Sequence, residues 1–316
     1  MSGLKNLSLP NSKQLHILVY PSLTFMHSGP EGFIKELLRF SPKEREVTFS
    51  VKVEPSELGS AALEKIRSES PANLKFVTQC PESFDLMITL GGDGSVLWAN
   101  QFIKGRKPAP TITINGGTLG FITQFVMDDL SMILDEISHA CEENRTSTLQ
   151  TKLLRKLLVR GLRTSGESFE SSAINEVVLK TPDNYGRSFQ VFVGQALAME
   201  FKADGVIVCS QLGSTGYNSS VQGPLLAPGF AGLTISALAP YGCNFRPLVV
   251  PEGQTVKVVI GHSFHNKVGC SLDSTTSFEL CEKDSVEINL EAEPIPLITR
   301  GYEEGWYQKA RSLFHM

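Results

Sequence analysis

A glycine-rich turn with an acid at its centre occupies residues 91–95, Gly-Gly-Asp-Gly-Ser, directly after the apolar run Phe84–Leu90. The run has the length and β-branched content of a buried strand, and apolar residues return at helical spacing after the turn. Such a turn lets backbone N–H groups approach phosphate oxygens closely. Asp93 would repel a phosphate unless a metal ion intervenes or the acid takes part in proton transfer. The turn therefore indicates chemistry as well as binding, with an ordinary tight turn as the alternative.

A second glycine-rich turn follows the next apolar run, Thr111–Asn115, and leads into Phe121. In an open parallel sheet, ligands collect outside the carboxyl ends of the strands. Two glycine turns at two strand ends can therefore face one crevice. One would hold a phosphate chain, and the other would admit a flat group beside Phe121. A role for Phe121 in the core is the alternative.

Polar residues interrupt two apolar stretches in the second half of the chain. Asn175 and Glu176 break the alternation of Ala173–Lys180, and an amide beside a carboxylate suits a ribose diol or an adenine edge. The stretch Asp204–Asn218 combines an Asp-Gly turn with a dense group of hydroxyls and glycines. Its candidate ligand-lining residues are Ser214, Thr215 and Tyr217. For both stretches, a solvent-exposed strand end or loop is the alternative.

The composition is that of a globular protein: of 316 residues, 41% are hydrophobic and 20% are charged. This length predicts two domains. The net charge of −4 does not favour nucleic-acid binding, and no apolar run approaches the roughly 20 residues that span a bilayer. Residues 1–6 resemble neither a secretion signal nor an import signal, so we expect a cytoplasmic protein. His262 and His265 lack a third ligand, and no metal site is predicted.

The pattern of apolar residues changes near residue 146. Before it, strand and helix signals alternate, which predicts an α/β domain over residues 1–145 plus 291–316. Residues 146–290 read as a β-rich domain, and Trp306 in the tail is expected to pack against the first domain. The predicted strands are Leu15–Tyr20, Glu46–Val53, Phe84–Leu90, Thr111–Asn115, Lys152–Arg160, Ala173–Lys180, Ser188–Phe201, Gly205–Cys209, Leu233–Leu238, Thr255–Ile260 and Val286–Leu290. The predicted helical segments are Pro30–Phe40, Ser56–Ser68, Met127–Cys141 and the tail Tyr302–Phe314.

The motifs of this chain, taken in order, resemble those of the NAD kinase family. They are Gly-Gly-Asp-Gly-Ser, Asn-Gly-Gly-x-Leu-Gly-Phe, Asn-Glu, Asp-Gly, Gly-Ser-Thr-x-Tyr, Gly-Pro and Arg-Pro-Leu-Val, between about Asp85 and Asp273. Each motif alone is weak, but seven in the family's order are strong evidence. The resemblance implies a Rossmann-like α/β nucleotide-binding domain and a β-rich dinucleotide-binding domain, with the C-terminal tail returning to the first. It also implies ATP-dependent phosphorylation of NAD, the reaction of NADP biosynthesis, with the substrate between the domains.

For the first domain, the resemblance implies a catalytic role for Asp93 at the reacting 2′-hydroxyl of the adenosine. Gly92 and Gly94 match the phosphate-facing loop of the family, and Ser95 belongs to the same binding set. Phe121 matches a residue beside the adenine.

For the second domain, Asn175 and Glu176 match the pair that grips ribose and adenine, and Asp204 matches a residue near the nicotinamide. Thr215 and Tyr217 match the Thr-x-Tyr segment around the dinucleotide.

Ser214 lies in the same segment of the motif series, and Asp273 matches a later acidic position that glycine usually follows. This chain has Ser274 there. It also has Gln211-Leu212-Gly213 where the family commonly has Thr-Pro-x-Gly, and Gly216 in place of an alanine. These departures bear on substrate affinity and on the choice between NAD and NADH.

The mechanistic hypothesis places Asp93 where it orients the 2′-hydroxyl or accepts its proton late in a loose phosphoryl transfer. Magnesium or another divalent metal would be held mainly by ATP oxygens and water, since no protein cage is visible. The resemblance also implies a homo-dimer or homo-tetramer that binds NAD(H) and ATP, without nucleic-acid or membrane partners. The donor, ATP or polyphosphate, stays open.

Two other classes of function remain as alternatives. Lipid kinases and 6-phosphofructokinase share Gly-Gly-Asp-Gly but lack the later motifs. The altered Gln211-Leu212-Gly213 segment motivates a non-catalytic NADP(H)-binding protein on the same scaffold.

Overall fold

The computed structural model describes residues 5–7, 9, 13–27, 31–40, 42, 45–57, 64, 66, 68, 73–116, 120–142, 147–182, 186–262 and 267–315. The chain forms two compact units, residues 1–154 with 295–316 and residues 155–294. It leaves the first unit within one long strand, Gln150–Leu162, and re-enters it within another, Ser285–Thr299. The functional domain limits predicted from the sequence, 1–145 with 291–316 and 146–290, stay a prediction.

The regular elements of the first unit alternate between strand and helix. Its strands are β1 (Lys5–Asn6), β2 (Gln14–Pro21), β3 (Glu46–Lys52), β4 (Leu74–Val77), β5 (Leu86–Leu90), β6 (Thr111–Asn115) and β7 (Phe125–Val126), with the start of β8 (Gln150–Leu162) and the end of β19 (Ser285–Thr299). Its helices are Leu23–His27, Glu31–Arg39, Asp93–Phe102, Leu130–Cys141 and Tyr302–Phe314, and 3₁₀ turns cover Pro55–Glu57 and Met127–Asp129. Most of the predicted helix Ser56–Ser68 lies outside the described residues.

The central sheet of the first unit is parallel, in the order β4-β3-β2-β5-β6. All residues of β5 and β6 are buried, which is why both read as continuous apolar runs. The helix Leu130–Cys141 buries Ile133 and Ile137 in the core cluster that contains Ile88 and Ile112. Parallel pairing puts the carboxyl ends of β2, β3, β5 and β6 at one edge of the sheet. The predicted α/β class is confirmed.

The second unit is built from antiparallel strands. They are the rest of β8, β9 (Ser168–Ala173), β10 (Glu176–Lys180), β11 (Arg187–Val193), β12 (Ala196–Ala203), β13 (Gly205–Cys209), β14 (Gly232–Leu238), β15 (Leu248–Pro251), β16 (Val256–Ile260), β17 (Val268–Leu272), β18 (Thr276–Leu280) and the start of β19. One sheet has the order β15-β14-β13-β10-β17-β18, and β12-β11-β16-β19 form a second group. Apolar side chains from both, such as Val208 and Val258, share one core. The only described helix of this unit is the short Tyr217–Ser220, after a 3₁₀ turn at Gly213–Thr215.

Two strands predicted as continuous are each divided in the structure. Ser188–Phe201 is a hairpin of β11 and β12 that turns at Gly194, whose φ of +59° suits glycine. The run Ala173–Lys180 breaks between the end of β9 and the start of β10, so Asn175 lies in the turn. In the first case the apolar pattern continues across the turn, so periodicity alone does not reveal the break, whereas in the second the polar pair Asn175 and Glu176 marks it.

The C-terminal tail belongs to the first unit, as predicted. Leu297 of β19 pairs in parallel with Thr111 of β6. Trp306 of the tail helix Tyr302–Phe314 is 4% exposed and packs against Phe121 at 5.9 Å between ring centroids. Among the described helices, none has the length and apolar character needed to cross a bilayer.

Candidate active site

The Asp93 carboxylate connects the turn after β5 with the segment after β6, at the carboxyl edge of the parallel sheet. It is the first residue of the helix Asp93–Phe102, and its carboxylate accepts three backbone N–H bonds. The donors are Phe121 at 2.6 Å, Ile122 at 3.0 Å and Thr123 at 2.9 Å. Charge-assisted bonds of this kind are strong and directional, so they hold the carboxylate in one position. The acid singled out in the sequence is therefore also the residue that fastens the segment after β6.

The glycines beside Asp93 leave their backbone open. Gly92 and Gly94 are exposed, and a Cβ built on either would meet no described atom within 4 Å. Gly91, by contrast, is buried at φ +134°, with its amide bonded to the Ile114 carbonyl at 3.0 Å. Ser95 is 8% exposed, and its Oγ would lie 2.2 Å from a Cβ on Gly91. A ligand can therefore approach the backbone of Gly92 and Gly94 closely, while Ser95 packs beneath the turn.

Phe121 belongs mainly to the packing of the tail helix. It is 8% exposed, and its ring stacks on Phe314 at 6.2 Å as well as contacting Trp306. Lys309 of the same helix donates to the Thr123 carbonyl at 2.9 Å. Burial lowers the pKa of Lys309, and the nearby Asp93 carboxylate opposes that shift. Lys309 could not be predicted from the sequence, because nothing in the spacing of the tail connects it with the segment 121–123.

Replacing Gly120 by alanine should displace the Asp93 carboxylate. A Cβ there would lie 2.0 Å from Asp93 Oδ1 and 2.7 Å from Thr123 Oγ1, so one of these groups must move. We expect kcat of a reaction that uses the Asp93 carboxylate to fall by at least about tenfold, because small displacements of reacting groups slow the chemical step. Gly32→Ala is the control, because a Cβ there meets nothing within 4 Å. Equal kcat values for the two variants would contradict the prediction.

Asp273 in the second unit has the same type of bonding as Asp93. Its carboxylate accepts backbone N–H bonds from Ile174 at 2.7 Å, Asn175 at 2.8 Å and Glu176 at 3.1 Å. Asp273 is 3% exposed, and burial raises its pKa although the three N–H bonds and Lys156 lower it. This bonding fixes the turn that separates β9 from β10, and with it the positions of the two polar residues.

Glu176 is a buried carboxyl group with an unsatisfied oxygen. It is 6% exposed, and its Oε2 and the Oδ1 of Asn175 have no hydrogen-bond partner among the described residues. Burial, and then the charge of Asp273, raise the pKa of Glu176 to about 8, and the Tyr217 backbone N–H opposes the shift. At neutral pH the side chain is therefore largely protonated, and it can both donate and accept a hydrogen bond. Buried polar atoms without partners are uncommon in native proteins, and here they suit a polar ligand.

The turn that contains Gly213 and Gly216 packs closely against this pair. A Cβ on Gly213 would lie 2.1 Å from the Asn175 carbonyl oxygen, and one on Gly216 would lie 3.2 Å from Glu176 Oε2. Glycine at 213 is thus required by close backbone approach. Glycine at 216 leaves additional room beside the unsatisfied Glu176 oxygen.

The hydroxyls predicted to line the ligand are used within their own loop. Ser214 is fully buried, and its Oγ donates to Gln211 O at 2.6 Å and accepts from Leu226 N at 3.0 Å. Thr215 Oγ1 donates to Leu212 O at 3.0 Å. Tyr217 is 38% exposed and is the open side chain of the three.

Asp204 lies apart from the Glu176 group. It precedes β13, where Gly205 pairs with Lys180, whereas Glu176 pairs with Cys209 at the other end of that ladder. Gly205 and Cys209 are four residue steps apart along β13, which corresponds to about 13 Å. The Tyr241 hydroxyl donates to Asp204 Oδ1 at 2.8 Å. The structure therefore brings together Asn175, Glu176, Tyr217 and Asp273, but not Asp204.

Ser274→Gly should stabilise the hairpin that holds Asp273. Ser274 has a φ of +55° and follows Asp273 at +50° in the turn between β17 and β18. A side chain in this left-handed region costs about 1–2 kcal/mol, part of which glycine loses again through chain entropy. We expect the free energy of unfolding to rise by about 0.5–1 kcal/mol in urea denaturation. Ser274→Ala should show no such gain, and a gain as large as that of glycine would refute the explanation.

Among the described residues, no three His, Cys, Asp or Glu side chains are grouped so as to hold a metal ion. His262 Nδ1 lies 2.9 Å from Glu282 Oε2, and His265 is outside the described residues.

Two protein-family profiles match the chain. The profile for the ATP-NAD kinase N-terminal domain matches residues 33–142, and that for the ATP-NAD kinase C-terminal domain matches residues 174–299. The chain belongs to the ATP-NAD kinase family. It is 32% identical over 232 residues to the NAD kinase of Thermoplasma volcanium, covering 72% of this chain and 78% of that protein. Family membership does not favour the lipid-kinase and sugar-kinase alternatives.

Two of the relatives are much longer than this chain. An uncharacterized kinase of Schizosaccharomyces pombe is 27% identical over 304 residues, which are 92% of this chain and 55% of that protein. The chain thus spans about half the length of that relative, and its match covers 23% of the chloroplastic NAD kinase 2 of Arabidopsis thaliana. The fold is similar to that of yeast NADH kinase complexed with NADH, with a TM-score of 0.80, 21% identity, and coverage of 100% of this chain and 94% of the other.

Proposed function

We propose that this chain transfers the γ-phosphoryl group of ATP to the adenosine 2′-hydroxyl of NAD, forming NADP. The observation that carries the proposal is the carboxylate of Asp93, held by three backbone N–H bonds between the exposed Gly92 and Gly94. The named relatives support it, among them the NAD kinase of Thermoplasma volcanium and the ATP-NADH kinase of Saccharomyces cerevisiae.

Positioning provides most of the catalysis in this mechanism, because phosphoryl transfer passes through a loose transition state. Asp93 orients the 2′-hydroxyl and accepts its proton late in the transfer. The open backbone at Gly92 and Gly94 admits the phosphate chain close to the start of the helix Asp93–Phe102, whose dipole favours negative charge. Magnesium bound to the donor phosphates would neutralise their charge.

Dinucleotide recognition is assigned to the second unit. Protonated Glu176 donates to one ribose hydroxyl and accepts from another group, while Asn175 Oδ1 accepts a hydrogen bond. The partly exposed ring of Tyr217 contacts the dinucleotide, and Asp204 binds its nicotinamide end. Asp273 acts as a positioning residue, since its bonds hold the backbone of Asn175 and Glu176. Within this proposal Phe121 borders the adenine, and Ser95, Ser214 and Thr215 shape the loops.

The proposal includes a cytoplasmic homo-dimer or homo-tetramer that requires magnesium and uses residues 1–145 with 291–316 and 146–290 as its two functional domains. NADH is the alternative acceptor and polyphosphate the alternative donor.

The test is NADP formation by the purified chain from NAD, ATP and Mg²⁺, separated by chromatography. Parallel initial rates with NAD or NADH, each with ATP or polyphosphate, identify the preferred pair. Phosphorylated dinucleotide from none of the four pairs would overturn the proposal. Tight NADP binding by calorimetry without turnover would instead support the non-catalytic alternative.

A further inference from the structure

A cavity of about 260 Å³ lies beside the Gly91 turn in the first unit. The lining residues that matter here are Tyr20, Leu23, Lys52, Glu54, Ser95 and Trp98. They come from the carboxyl ends of β2 and β3, from the start of the helix Leu23–His27 and from the helix that Asp93 begins. The volume is below the roughly 300–1,000 Å³ typical of sites for whole drug-sized ligands, so it suits a single ring system. Of these residues, only Ser95 has a role in the proposed function.

The cavity adjoins the turn assigned to phosphate binding. Ser95 Oγ and Ser22 Cβ would lie 2.2 Å and 2.9 Å from a Cβ on Gly91, so both border that turn directly. Trp98 follows Ser95 by three residues and therefore projects from the same face of the helix. A ligand in the cavity is thus beside the turn and on the helix that carries Asp93.

The walls of the cavity combine exposed apolar surface with a charged pair. Trp98 is 53% exposed and Leu23 is 52% exposed, so both offer apolar surface to the cavity. On the other side, Lys52 pairs with Glu54 and lies 5.3 Å from the centre of the Tyr20 ring. Burial, and then Glu54, raise the pKa of Tyr20 to about 12, so its phenol stays neutral. A flat ligand with polar edges fits these walls better than an aliphatic one.

We propose that this cavity binds the purine base of the phosphoryl donor, an inference that rests on the proposed kinase function. The base stacks on Trp98, and Glu54 accepts a hydrogen bond from its exocyclic amino group. Polyphosphate has no base and gains nothing from the cavity. The site therefore favours a purine nucleotide over polyphosphate as the donor.

The test compares donor and acceptor kinetics of Trp98→Ala. Removing the stacking surface should raise KM for ATP by at least about fivefold, while KM for NAD changes by less than about twofold. Trp98→Phe keeps an aromatic face and should recover most of the loss. Leu153→Ala is the matched control, because Leu153 is also 53% exposed and lies outside the cavity. An unchanged KM for ATP, or equal rises in KM for ATP and NAD, would overturn the inference.

A binding measurement separates this inference from the kinase function. The chain has two tryptophans, so a non-hydrolysable ATP analogue should quench the emission of the native protein but not that of Trp98→Phe, which retains Trp306. Quenching that depends on Trp98 without any turnover would uphold the base site and reject the kinase function. Turnover without such quenching would reject the base site alone.

Discussion

Asp93→Asn is expected to lower kcat for NADP formation by at least about a hundredfold, the lower range for loss of a positioned acid or base. The change removes the negative charge at the proposed 2′-hydroxyl site. It also replaces one carboxylate oxygen by an NH2 group, which cannot accept the N–H bond from Phe121 or, in the other orientation, those from Ile122 and Thr123. Initial rates at saturating NAD and ATP measure the effect.

Asp284→Asn separates catalysis from stability. Asp284 is 3% exposed, and its carboxylate accepts backbone N–H bonds from Thr164 and Cys281, each at 2.8 Å. Both variants should lose about 1.5–3 kcal/mol of unfolding free energy, the usual contribution of a hydrogen bond to a charged group. Only Asp93→Asn should lose kcat as well. A kcat within threefold of the native value in Asp93→Asn would reject the catalytic assignment.

The second large effect is a loss of stability as the pH rises, caused by Glu176. Its pKa is about 8 in the folded chain, above the ordinary value of 4.5, because it is buried beside Asp273. Between these values the folded state holds a proton that the unfolded state has released, so the free energy of unfolding falls as pH increases. At 1.36 kcal/mol per unit of pKa, the loss from about pH 4.5 to about pH 8 is on the order of 4 kcal/mol.

Urea denaturation of Glu176→Gln at pH 5, 7 and 9 tests this effect. The glutamine is neutral throughout, so the variant should gain stability relative to the native chain as the pH rises, with the largest difference at pH 9. A smaller decline should remain in the variant, since the pKa of Asp273 is also raised. Parallel stability curves for the two proteins would show that Glu176 does not titrate in this way.

A substantial part of the fold could be predicted from local patterns of apolar residues in the sequence. The apolar runs that became β5 and β6 were recognisable because both are buried on two faces. The hairpin β11–β12 was predicted as one strand, since its apolar pattern continues through Gly194. The strands β4, β17 and β18 were not predicted. Val268–Leu272, for example, contains glycine and serine and buries alternate residues only.

The sequence by itself determined which residues are candidates for the chemistry: glycines around Asp93, and an amide beside Glu176. Only the tertiary structure decided what holds them, because the bonding partners are distant along the chain. Asp93 is fastened by residues 28–30 positions away, and the Asn175–Glu176 turn by an acid 97–98 positions away. Turn chemistry and periodicity report preferences over a few residues. Which loops meet at a sheet edge is set by strand order, and the pKa of Glu176 depends on burial that only the assembled core creates.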